Sequence, residues 1–193
     1  MEIRKELMKK AFDNVFSSID ENMLLPIRVF RKELSSVLFF ESDCLFSEGF
    51  SDFAKKIMEI ENSKIICIVN FSETKDNEYE SASMLFLDQS IDKNSYLSLL
   101  KEGGPEKGWM FSMDRYGIAS DSGEWAIYCE KGNDVSAIAF RNPENLKKYV
   151  ECVKLFHAES VVDLMKNWAD AAFPFNSMTE EWRQGLIQHY GNP

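Results

Sequence analysis

This chain of 193 residues predicts an α+β fold, an antiparallel β-sheet with a central meander, packed with N-terminal and C-terminal helices. Three observations point there. Apolar runs between Gly108 and Phe140 are punctuated by turn residues, the N-terminal segment has helical periodicity, and helix-start signals recur after Asn142. With strands in the middle and helices at both ends, the simplest layering covers one side of the sheet with helices.

The first helix rests on Ile3, Leu7, Met8, Ala11, Phe12, Val15, Phe16 and Ile19, a stripe at three-and-four spacing opposite Lys5, Lys9, Lys10 and Asp13. Such a stripe is usually core, and its flanks lack the basic residues of a membrane-surface helix. From Asn22 to Phe50 the pattern is ambiguous. Pro26 breaks Met23-Leu24-Leu25, and Val37-Leu38-Phe39-Phe40 suits a strand or a helix. Ser51 can cap a helix running to about Glu61 with Phe53, Ile57 and Ile60 on one face. Ile65 to Val69 then reads as a central strand buried on both sides.

Ser72 to Ser81 is polar and acidic, which predicts an exposed loop, and Ala82 to Leu87 returns to strand composition. A helix around Ser95 to Lys101 stops at Gly103-Gly104-Pro105. The meander follows. Asp121-Ser122-Gly123 and Lys131-Gly132-Asn133-Asp134 are its turns, Trp125, Ile127 and Cys129 alternate with Ala126, Tyr128 and Glu130, and Val135 to Phe140 is the next strand. Asn142-Pro143-Glu144 opens a helix with Leu146, Tyr149, Val150 and Val153 inward. Ser160 with Asp163, and Ser177 with Glu180, mark two more starts, carrying Leu164 and Trp168, then Trp182, Leu186 and Tyr190 inward. No repeat or low-complexity linker appears, so residues 1–193 read as one domain.

Composition narrows the function classes. Hydrophobic residues make up 45% of the chain and fifteen Phe supply aromatic bulk, enough for a packed core. The net charge of −10 produces a field that repels phosphates and anionic membranes, so neither nucleic acid nor membrane is an expected partner. The pairs Lys9-Lys10, Lys55-Lys56 and Lys147-Lys148 read as solvated helix faces. The start has no signal-peptide pattern and no apolar run approaches the roughly twenty residues of a membrane span, which predicts a cytoplasmic protein. Cys44, Cys67, Cys129 and Cys152 lack metal-site or redox spacing and are expected to be reduced, unligated packing residues.

Catalytic signatures are missing. His157 and His189 sit near predicted helix ends, and no Gly-rich phosphate loop, zinc-helix motif or nucleophile elbow occurs. No catalytic residue, cofactor or metal site is therefore assigned. The best enzyme case uses Asp114, Asp121, Glu124 and Glu130 as a carboxylate pair or hard-metal site, though turn chemistry explains Asp121 more simply. Interaction candidates are more distinctive. Between Ser72 and Asp92, Glu73, Asp76, Glu78, Glu80, Asp88 and Asp92 face one basic residue, Lys75, a cluster that reads first as a solubilising loop and otherwise suits a basic protein surface. Trp125 belongs to a periodic core pattern, whereas Trp109, beside a Gly-rich segment, is the better partner-contacting tryptophan.

The tryptophan-containing hairpin from Gly117-Ile118-Ala119 through Trp125-Ala126-Ile127-Tyr128 to Phe140 resembles the β-meander of small bacterial immunity proteins that neutralise polymorphic or contact-delivered toxins. That resemblance implies a cytoplasmic protein that binds one cognate toxin domain, often a basic nuclease, and blocks it sterically or electrostatically. It transfers no binding residue. An acidic secretion chaperone or adaptor is the alternative, and an enzyme with a carboxylate-based site is the third reading.

Overall fold

The computed structural model describes residues 2–31, 33–74, 78–167 and 170–191. Asp76 and Trp168 lie outside them. The N-terminal stripe forms α1, Glu2–Ser18, which buries Ala11, Phe12 and Val15. Its first turn leaves Ile3 73% exposed. The ambiguous stretch resolves into turns with a cis Leu25–Pro26 bond, followed by strand β1, Ser36–Glu41. Helix α2, Gly49–Glu61, ends where Asn62 turns left-handed at φ 58°.

Strands β2, Ile65–Asn70, and β3, Met84–Asp88, follow, joined by the acidic connection. Helix α3, Lys93–Lys101, starts where the Asp92 carboxylate accepts from the Ser95 N–H at 2.9 Å. Gly103, at φ 87°, leads into the one-turn α4, Gly104–Lys107. The meander matches its sequence pattern: β4, Arg115–Ser120; β5, Trp125–Glu130; β6, Val135–Phe140. Gly123 at φ 75° closes the first hairpin in a conformation a side chain would disfavour. Asn142 caps α5, Pro143–Val153, and Ser160 caps α6, Val161–Lys166. Helix α7, Glu180–Tyr190, is capped by Thr179 rather than Ser177, which falls in a 3-10 turn. Thr179 wins because its hydroxyl reaches the Trp182 N–H at 3.2 Å and Glu180 and Glu181 fill the first turn.

The six strands form one antiparallel sheet in the order β1-β6-β5-β4-β2-β3. The single helical layer expected from the sequence is corrected, because both faces are covered. On one, Ile66, Ile118, Trp125, Ile127 and Ile138 pack under α2, α3 and α5 through Phe53, Tyr96 and Tyr149. On the other, Cys67, Ala119, Ala126, Ala137 and Ala139 lie under α1, α6 and α7 through Val15, Leu164 and Leu186. The second face is lined with small residues, so its helices approach closely. At Gly117 a Cβ would collide with the Phe71 ring and with Val15 of α1.

The two edges of the sheet differ. Beside β1, the backbone of Glu159 completes a bridge, with Phe39 N–H donating to Glu159 C=O at 2.7 Å and Glu159 N–H donating to Phe39 C=O at 2.9 Å. Among the described residues, no strand or bridge lies beyond β3. No helix of the described residues is long and apolar enough to cross a membrane.

Candidate functional site

The strand lengths divide the candidate carboxylates between two ends of the sheet. Asp114 and Asp121 flank β4, so about seven residues of extended chain, roughly 20 Å, separate them. Glu124 and Glu130 flank or end β5 in the same way. Only Asp121 with Glu124, and Asp114 with Glu130, share an end, and each of these side chains is already engaged.

At the end holding the β4–β5 turn, Asp121 Oδ1 accepts from the N–H groups of Lys64 and Ile65, both at 2.8 Å. Turn chemistry predicts that Asp121 serves its own turn. Instead it anchors the start of β2 alongside β4, fifty-six residues away from Ile65, a pairing set by strand order. Glu124 accepts from Asn145 Nδ2 at 2.8 Å. Glu61, which the sequence did not single out, closes α2 by accepting from the Ser120 hydroxyl at 2.8 Å, the Ser122 hydroxyl and the Trp125 indole N–H. Burial raises its pKa, while those three donors act in the opposite direction.

At the other end, Glu130 is 4% exposed and accepts from the Leu25 N–H at 2.6 Å, the Tyr128 hydroxyl at 2.9 Å and Asn133 Nδ2 at 2.7 Å. Asp114 accepts from Asn70 Nδ2 at 2.9 Å and from the Ser112 hydroxyl. Lys131 lies 4.2 Å above the Phe46 ring and donates to the Met110 carbonyl, and burial lowers its pKa. These contacts hold loops to the sheet.

The same end carries a cleft of about 570 Å³, lined by Glu21, Leu24, Ser72, Met113, Arg115 and Glu130. Arg115 Nη1 donates to the Glu21 carbonyl at 2.9 Å, which fixes the guanidinium across the floor. Leu24 and Met113 on its walls are 48% and 65% exposed and give the cleft an apolar rim beside its charges. The rim residues come from the stretch 22–50 that periodicity left open and from the segment after α4, so only the closed sheet brings them together.

Ser72 joins this cleft to the acidic connection. Glu73, Glu78 and Glu80 are exposed, and none forms an ion pair among the described residues. Glu73 accepts from the Ser83 hydroxyl at 2.7 Å. Asp88, by contrast, pairs with Arg4 at 2.7 Å, and Asp92 is spent on its helix cap. Trp109 is only 9% exposed and packs on Tyr116 with ring centroids 5.2 Å apart, because α4 folds the Gly-rich segment back over the sheet.

The thiols are unpaired. Burial pushes Cys129 up to about 12 and Cys44 and Cys152 up to about 11, so they stay protonated near neutral pH and are poor nucleophiles. Among the described residues no group of three or more His, Cys, Asp or Glu side chains is arranged to hold a metal ion. Comparison with protein-family models, curated proteins and solved structures finds no match to this chain.

Proposed function

We propose that this protein is a binding module, an immunity protein that occupies a cognate bacterial toxin domain with a basic surface and neutralises it. The observation that supports this reading is the pairing of exposed Glu73, Glu78 and Glu80, which form no ion pair among the described residues, with the apolar rim of Leu24 and Met113 on one end of the sheet. Charge of one sign accelerates encounter with an oppositely charged partner, and exposed apolar side chains then slow its escape. The enzyme reading has less support, since Asp114, Asp121, Glu124 and Glu130 are taken up by loop and strand anchoring.

The test begins with gene neighbours, which on this reading include a large secreted toxin. Its purified C-terminal domain is expected to bind this protein with an association rate that falls as salt rises. A Glu73→Lys, Glu78→Lys, Glu80→Lys variant, still folded, is expected to associate about tenfold more slowly at low ionic strength. Equal rates for the two proteins would remove the acidic connection from the interface, and failure to bind the toxin domain would sink the immunity reading.

A further inference from the structure

Among the described residues the outer edge of β3 is an unfilled strand position. In the β2–β3 ladder the Asn70 N–H donates to the Ser83 carbonyl at 2.9 Å. Hydrogen-bonded pairs in an antiparallel ladder recur every second residue, so Leu85 and Leu87 turn their backbone groups toward Ile68 and Ile66. Met84 and Phe86 therefore present their N–H and C=O groups outward, where no described strand or bridge pairs with them. Proteins normally blunt such an edge with lysine, proline or a covering segment. The strand Met84-Leu85-Phe86-Leu87-Asp88 contains neither lysine nor proline, and Met84, Leu85 and Phe86 are only half-buried.

Charge decides what fits there. Glu73, Glu78 and Glu80 flank the Met84 end without described cationic partners. At the Asp88 end a second cleft, about 510 Å³, lies between α1 and the strand and is lined by Ile3, Leu7, Arg4, Lys64, Asp88 and Gln89. A second copy of this chain would bring an identical acidic flank and another −10 charge to the edge, which opposes self-pairing. We infer that β3 receives an extended, lysine- or arginine-rich segment of a protein partner as a seventh strand, with an apolar side chain of that segment seated between Ile3 and Leu7. This rests on the binding reading above and specifies how the partner is held: backbone hydrogen bonds provide affinity, and the flanking charge and cleft provide selection.

The probe is a short synthetic peptide alternating lysine with threonine and carrying one central leucine, with a glutamate-for-lysine peptide as its counterpart. Amide exchange measured by NMR on the unmodified protein is expected to show fast exchange at Met84 and Phe86, slowed when the lysine peptide is added and unchanged by the glutamate peptide. Met84→Pro deletes one outward donor without touching the β2 ladder, and is expected to weaken the lysine peptide about tenfold, the loss of roughly one backbone hydrogen bond. Protection located elsewhere, or equal affinity for Met84→Pro, would overturn the inference, as would protection of Met84 and Phe86 in the free protein accompanied by dimerisation in sedimentation. A toxin domain that binds wild type and Met84→Pro alike would leave the binding reading intact and remove the edge. A peptide that docks on β3 when no toxin domain binds would do the reverse.

Discussion

The two lateral halves of the sheet solve the same problem in opposite ways. From β1 to β4 the sheet is the more enclosed, with β5 and β6 buried along their whole length and Glu159 bridging the outer side of β1 at Phe39. At the other side β3 has one neighbour and a half-buried surface, and its connection to β2 holds the acidic residues. The backbones of β6, β5 and β4 are flanked by a strand on each side and β1 is bridged at Phe39, whereas the outward groups of Met84 and Phe86 are left to solvent or a partner. The difference teaches that the stability of this protein and its capacity to bind are concentrated in different strands.

The contrast breaks first, if it is wrong, at Trp125. Its indole is fully buried, lies edge-on to Phe53 with centroids 5.8 Å apart and donates to Glu61. Trp125→Ala is expected to cost about 3–5 kcal/mol in chemical denaturation, through lost burial and a residual cavity. An unchanged midpoint would mean that the meander is not the stable half.

Overpacking supplies a smaller test of the same half. Gly117→Ala introduces a methyl group into the Phe71 ring and Val15, so α1 must shift, at about 1–3 kcal/mol. Full retention of stability would show that the helix layer over the small-residue face is loosely held.

Glu61 sharpens the comparison through pH. Its folded pKa is raised by burial, so the folded state holds the proton more tightly than the unfolded chain does. The associated stability is fully present below the unfolded carboxylate value, about 4.3, and is lost as pH rises through the higher folded value. Denaturation midpoints across that window are expected to fall with pH in wild type more steeply than in Glu61→Gln, whose amide does not titrate. Parallel profiles would assign the pH dependence to other groups.

The smallest effect belongs to the open half. Met84→Thr, which keeps strand propensity on a half-exposed position, is expected to change stability by less than about 1 kcal/mol. A loss comparable to that of Gly117→Ala would show that β3 is as integral to the fold as the meander.

The sequence by itself determined the elements whose signals are local. Turn residues fixed the β4–β5 and β5–β6 hairpins, Asn142-Pro143 and Ser160 fixed two helix starts, and alternation marked Trp125 as core, because side chains within a few residues of one another decide each of these. The acidic character of the β2–β3 connection was legible for the same reason, since charge density is a property of composition. Tertiary structure alone decided the rest. Small residues such as Ala126 and Ala139 carry no label for the helices that cover them, so the second helical layer emerged only with the packed sheet. Trp109 went inward because α4 reversed the chain, and Asp121 became the anchor of β2 because strand order put Ile65 beside it. The open edge of β3 is likewise invisible in the chain. Whether a strand ends a sheet depends on which strands pair beside it, and those partners come from residues far apart in sequence.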